Sequence, residues 1–401
     1  MDVPELNKPA GSMSKVSNAL SRRGLLQGTA IGASAMLLAA CSSKSGGPTA
    51  AADKSTSQKS LRVDGKETYR NVSGQDFPLL DKFTYDSGIK VTFTNQVDDD
   101  NLYYQEVRSQ LQKGEDIGAD AAVLADWMAA KWSRLGYIQP IDSKSISNFN
   151  NVSLTFRNSS GGPLVPGTMP WRAGITGIAW NKEYLPDGLT SISQLWDESL
   201  HGRVGAMSSL RETMGLIMLD RGVDISSGDW GDKEFSEAVD FLRPLVTNGQ
   251  LRSIKGDKYK DDLVKVSTIA SIARAGDIQD LNQQAGKEKW GFGIPDKGGV
   301  LWADVAVVPI GSTHAANAAK FINYYYRQDV AVQVAATTGF ISPVTIRSNQ
   351  LSTLPSEVSR NVTIFPTDAV MKTVKMFRQL TPDEEQRFTA QFQSILLAAS
   401  S

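Results

Sequence analysis

The chain has 401 residues, a formal net charge of -1, 41% hydrophobic residues and 21% charged residues, the make-up of a soluble globular chain with room for two or three domains. Without a basic excess, phosphate-driven binding of nucleic acid has no electrostatic basis. One cysteine and two histidines, His201 and His314, leave no disulfide framework, no thiolate or imidazole zinc site and little scope for a histidine base.

Residues 1–40 read as a targeting segment outside the fold. "SRRGLLQ" sets Arg22 and Arg23 ahead of a mildly apolar, glycine-containing run from Gly24 to Ala40, a pattern that resembles a twin-arginine signal. The run ends in "LLAAC", which has the form of a lipobox, so Cys41 is expected to become a lipidated N-terminus. A single-pass anchor is the weaker alternative, because about 17 weakly apolar residues with glycines span a bilayer poorly. Residues 42–60, "SSKSGGPTAAADKSTSQKS", are almost wholly small or polar and are expected, with Cys41, to form a flexible tether.

From Leu61 the chain alternates short extended runs with helical patterns. "LRV" leads to a helix around "FPLLDKFTYDSG" that ends at Gly88; then Ile89, Val91 and Phe93 recur at period two in "IKVTFTN". Asp98, Asp99 and Asp100 precede "NLYYQEVRSQLQKG", where acids suit a helix N-terminus. "DAAVLAD" predicts a buried strand and "WMAAKWSRLG" a helix, with Trp132 off the face of Trp127. Phe235, Ala238, Val239 and Leu242 give the i, i+3, i+4, i+7 spacing of a helix face. "KVSTIASIARAGDIQDL" predicts a strand and a helix start, "KWGFGIP" a strand, and "HAANAAKFINYYYRQDVAVQVAATTGF" one long helix. Within it Tyr324, Tyr325 and Tyr326 cannot share a face and are expected to be mostly packing or surface. In "TPDEEQRFTAQFQSILLAAS", Thr381 is the expected N-cap, Pro382 the first helical residue, and Glu384 and Glu385 ordinary first-turn acids. This alternation predicts an α/β sheet.

"IPDKGGVLWADVAVVP" raises a chemical question. On an extended chain Trp302 and Asp304 share a face, about 7 Å apart or less. An aromatic face beside a carboxylate suits a cation, although a core Trp next to a capping Asp is the simpler reading of these residues alone.

The segments "LLDKFTYDSGIKV", "DAAVLADWMAAKWSRLGYIQPID", "MPWRAGITGIAWN", "SLRETMGLIML", "PDKGGVLWAD" and "AAKFINYYYRQDVAVQVAATTGF" occur in an order and spacing that resembles the spermidine/putrescine-binding proteins of polyamine ABC transporters, a branch of the extracellular solute-binding lipoproteins. The resemblance implies an α/β, two-lobed periplasmic-binding-protein fold (type II-like), with the ligand cleft between the lobes and two crossovers, near Ala173 and Ala303. It divides the body into lobe 1 (61–172 plus 304–345) and lobe 2 (173–303 plus 346–401). It also implies a monomer that binds a small-molecule ligand, hands it to ABC permease subunits, touches the membrane through its lipid anchor alone, and needs no metal or cofactor.

In such proteins aromatic side chains line a polyamine's stem and carboxylates meet its ammonium groups. By position this role falls to Trp302, Asp304, Glu212, Trp127 and Phe340, with Trp171 a further candidate lining the cleft and Trp180 expected in the core. The departures reduce the negative charge. Ser209 stands where the family has an acid, Arg274 where it has a Trp, Lys297 where it has a Glu, and "NVSG" at 71–74 where it has aromatics. Arg274 repels a polyamine unless Asp277 or Glu212 pairs with it. The leading expectation is therefore a receptor for a polyamine or related organic cation. The alternatives are an anionic or zwitterionic solute held by Arg274, and a secreted lipoprotein enzyme using Glu212 and Asp304 as a carboxylate pair. The enzyme reading is disfavoured, since no nucleophile motif, Gly-rich nucleotide loop or metal-ligand cluster accompanies them.

Overall fold

The structure is a computed structural model, and its described residues are 47–66, 78–97, 99–141, 143–157 and 165–400. Arg22, Arg23, Cys41, Asp98 and the "NVSG" stretch lie outside them. Among the described residues there are eleven strands: β1 Ser60–Asp64, β2 Lys90–Thr94, β3 Ala121–Ala125, β4 Ile138–Gln139, β5 Thr168–Asn181, β6 Val204–Met207, β7 Leu251–Lys255, β8 Ala270–Arg274, β9 Trp290–Gly293, β10 Gly299–Pro309 and β11 Val374–Met376. Their order is β2-β1-β3-β10-β5-β8-β6-β7, with β4 and β11 on β10 and β9 on β5.

The two long strands hold the molecule together. Beyond Ala303, β10 pairs antiparallel with β3; beyond Thr176, β5 pairs antiparallel with β8 and β9. β5 and β10 pair with each other from Val300 opposite Thr176 to Val307 opposite Thr168, and Ala173 lies directly opposite Ala303. Each end of this two-strand bridge carries its own apolar core. In the first lobe Leu61, Val63, Ile175, Phe321 and Ile322 fill one side of the sheet, and Leu124, Met128, Trp132 and Val307 the other. In the second, Ile178, Val204, Met214, Phe235, Leu242, Ile272 and Phe388 form the core. The chain is thus two-lobed α/β.

Local signals account for most elements. The Asp99 carboxylate accepts from the backbone N–H groups of Asn101 and Leu102 and starts the Asp100–Lys113 helix, while Gly114 ends it at φ 69°. Phe235, Ala238, Val239 and Leu242 are all buried on the Asp232–Thr247 helix. Thr381 and Glu384 cap the Pro382–Ser400 helix reciprocally, backbone N–H to the partner's side chain in each direction. Glu384 does more than an ordinary first-turn acid: two hydrogen bonds from Arg378 hold its carboxyl down at about 2. Glu385 likewise pairs with Arg211.

Three expectations are corrected. The single helix over 314–340 is two, Ala315–Tyr325 and Gln328–Thr338. The break lets all three tyrosines be buried, which one straight helix does not allow; Tyr325 stacks on Trp171 at 3.8 Å, and the Tyr326 hydroxyl donates to the Pro170 carbonyl. The tether expected over 41–60 is docked from Pro48 onward, where Pro48 and Thr49 lie against Gly114. Ala51 and Lys54 donate backbone hydrogen bonds to Ile310 and Thr313, Asn317 donates to the carbonyls of Gln58 and Ser60, and His314 bonds both Gln58 and Asp120. Polar composition here reflects hydrogen bonding to a lobe rather than solvation. The C-terminal stretch expected wholly in the second lobe is shared, since Val374 and Met376 pack in the first core and Phe377 onward in the second.

Candidate functional site

The cleft floor is built by strand parity. Arg172, Gly174 and Thr176 fall on one face of β5, and their register partners across the sheet put Asp304 opposite Arg172, Trp302 opposite Gly174 and Arg274 of β8 opposite Thr176. Gly174 is required beneath the indole, because a Cβ there would lie 2.3 Å from a Trp302 ring carbon. The row thus alternates charge, ring and charge across the point where the strands pass between lobes.

On the first-lobe side, Asp304 is 2% exposed and accepts from Arg172 Nε at 2.9 Å. Lys66 Nζ lies 3.6 Å from Asp304 and 3.3 Å from Asp100. Burial disfavours the Lys66 charge, but Asp100 and Asp304 hold its ammonium above the ordinary lysine value against an opposing push from Arg274 and Arg172. The Arg172 guanidinium carbon sits 4.1 Å from the Phe340 ring centroid and 5.5 Å from that of Trp302, and these two rings meet edge to face at 5.6 Å.

On the second-lobe side, Glu212 in the first turn of the Leu210–Asp220 helix forms a fork with Arg274, both bonds at 2.7 Å. Thr176 donates to the same carboxylate at 2.7 Å and Ser209 bonds it as well. Burial would raise Glu212, yet Arg274 and these hydroxyls hold it below the usual carboxylate range. Arg274 also reaches Asp257 at 3.2 Å and lies 5.3 Å from the Trp302 centroid. Asp277 is engaged elsewhere, by the Tyr259 hydroxyl and Lys260.

The lobes meet around these groups. Phe340 of the first lobe presses on Gly276 of the second, where a Cβ would come within 2.7 Å of its ring. Arg211 stacks 4.7 Å from the Trp127 centroid, and Gln379 donates to Asp126 at 2.8 Å. Burial pushes Asp126 up to about 6, with Arg211 opposing the rise and Asp304 and Asp100 adding to it.

The structure therefore gathers Trp302, Asp304, Glu212, Phe340, Ser209 and Arg274 in one cleft, with Trp127 at its edge. It does not bring Trp171 there. Alternation along β5 sets Trp171 with Ala173 and Ile175 on the face away from Arg172 and Gly174, and its ring packs in the first core on Tyr325 and Phe321. Lys297 is exposed and within electrostatic reach of Asp220, whose carboxyl it helps keep charged, and it takes no part in the cleft pairs. Asp100 is a cleft group as well as a first-turn acid, for it also accepts from the Ala125 backbone. Arg172 and Lys66 were not singled out in the sequence. The signal for Arg172 is a lone cation in the otherwise apolar "MPWRAGITGIAW", two residues before a glycine.

Among the described residues no three His, Cys, Asp or Glu side chains are placed to hold a metal ion, and no helix is long and apolar enough to cross a membrane. The family model described as bacterial extracellular solute-binding protein matches residues 79–366. The spermidine/putrescine-binding periplasmic protein of Escherichia coli is 27% identical over 304 residues, 73% of this chain and 81% of that protein. Among solved structures, a spermidine/putrescine ABC transporter substrate-binding protein from Streptococcus pneumoniae, in complex with calcium and HEPES, superposes with a TM-score of 0.70 at 21% identity, over 85% of this chain and 100% of that one. A periplasmic binding protein from A. tumefaciens in complex with agropinic acid gives 0.65 at 19% identity, over 84% and 98%.

Proposed function

Because the chain belongs to the bacterial extracellular solute-binding protein family, we propose that it is the receptor of an ABC importer for a small organic amine, held between the lobes and handed to the permease. The observation that carries this reading is the pair of buried carboxylates, Asp304 and Glu212, on either side of Trp302. An ammonium gains a charge-assisted hydrogen bond from either acid and an aromatic face between them. Polyamines, which the names of the relatives specify, are the first members of that class to test. Ligand shifts the lobes toward closure by its greater affinity for the closed arrangement, with β5 and β10 as the hinge strands.

The reading assigns no chemistry to the carboxylates. Glu212 is held ionised by its guanidinium partner, which suits a binding group and not a proton donor. We further place the protein outside the cytoplasmic membrane, exported by the Arg22–Arg23 signal and retained by lipid at Cys41. Calorimetric titration with spermidine, putrescine and amino carboxylates tests the receptor assignment, with binding of at least one at micromolar concentration as the expected result. No heat and no rise in Tm with any of them at millimolar concentration rejects it. Mass spectrometry of the membrane-extracted protein tests the anchor, where an N-terminus other than a lipid-modified Cys41 rejects it.

A further inference from the structure

This inference rests on the amine-receptor reading and names the class of amine. The Trp302 indole carries it. Its Nε1–H is buried with no acceptor among the described residues, and an indole N–H can only donate. The ring lies 5.5 Å from the Arg172 guanidinium carbon and 5.3 Å from that of Arg274. A polyamine in its charged form offers donors and no acceptor. It leaves the indole N–H unmet and adds positive charge where two guanidinium groups already sit.

Charge exchange leads to the same class. Among the described residues the cleft sets Lys66, Arg172 and Arg274 against Asp100, Asp304 and Glu212, with the half-exposed Asp257 alongside. An ammonium that takes Asp304 or Glu212 draws one carboxylate partner away from a guanidinium, and weakening the pairing of a buried cation is strongly disfavoured. A carboxylate on the same ligand restores that partner, since its two oxygens match the guanidinium fork. Each chain pair is then replaced by two ligand pairs, and the cleft's net charge does not change.

We propose that the cleft takes a zwitterion, a small amino carboxylate. Its carboxylate accepts from Trp302 Nε1–H between Arg172 and Arg274, and its ammonium meets the acid that the guanidinium releases. Net-positive di- and polyamines of the same length are selected against.

The test titrates the purified full-length protein with matched four- and five-carbon pairs: putrescine and cadaverine, with an ammonium at each end, against 4-aminobutanoate and 5-aminopentanoate, with a carboxylate at one end. At least one amino carboxylate is expected to bind tenfold or more tightly than its diamine. Trp302→Phe keeps an aromatic face and removes the N–H; it is expected to weaken the amino carboxylate about tenfold and the diamine distinctly less. Arg172→Met, if folded, is expected to narrow or reverse the preference. Tighter binding of the diamine, or equal loss of both ligands in Trp302→Phe, overturns the zwitterion inference and leaves the amine receptor standing. Absence of binding by all four probes overturns the zwitterion inference, and if spermidine is also inert the amine-receptor reading falls with it.

Discussion

The two halves of the cleft hold the same chemical pair in different ways. In the first lobe Arg172 and Asp304 are directly opposed residues on neighbouring strands, with side chains 6% and 2% exposed. In the second, Glu212 comes from a helix and Arg274 from a strand end 62 residues away, and the guanidinium is 21% exposed with Asp257 as an additional partner. A cross-strand pair sealed by Phe340 and Trp302 has no water to fall back on. A pair open on one side does. On the proposed reading the first-lobe pair is the more rigidly held of the two, part of the floor, and the second-lobe pair is the contact more open to exchange.

The sharpest way to break this contrast is to remove one acid from each pair. Asp304→Asn leaves Arg172 and Lys66 short of a counter-charge in a buried setting, and urea denaturation is expected to show a loss of about 4 kcal/mol. A second effect has the opposite sign. Asp126 is buried with its pKa raised to about 6, so between about pH 4 and that value the folded chain holds a proton that the unfolded chain has lost. Stability therefore falls as pH rises through this window and is level above it. Asp126→Asn is expected to remove that slope and gain about 2 kcal/mol at pH 7, read from paired denaturation curves at pH 4.5 and pH 7. A parental chain whose stability does not fall between those pH values contradicts the assignment.

Glu212→Gln is expected to cost less than Asp304→Asn, about 2 kcal/mol, because Arg274 keeps Asp257 and some solvent. Equal losses at the two sites would erase the distinction between floor and contact. The smallest effect is expected from Gly174→Ala. The new methyl displaces the Trp302 indole, costing about 1.5 kcal/mol by overpacking. Its clearer readout is a change in Trp fluorescence together with loss of ligand binding.

How far the site could be read in advance depended on the range of the pattern involved. Trp302 and Asp304 were legible because period two is a local rule, and the Asp232–Thr247 helix because period 3.6 is one. Arg172 was not, since its role follows from the register of two strands 132 residues apart in sequence. Trp171 was misplaced because nothing local says which face of β5 meets the cleft; once Arg172 and Gly174 are on it, alternation sends Trp171 to the core with Ala173 and Ile175. The helix break after Tyr325 could have been suspected from three consecutive tyrosines, each large enough to demand its own burial. The docked segment from Pro48 onward could not, because Ser, Asp and Gln look alike whether they bond to water or to a neighbouring backbone.

That docked segment bears on how the receptor works at a membrane. If lipid is attached at Cys41, about seven residues separate it from Pro48, which already lies against Gly114 of the first lobe, a span of about 25 Å at full extension. We infer that a lipid anchor of this kind acts on the first lobe, which carries the docked segment, and reaches the second lobe through β5 and β10.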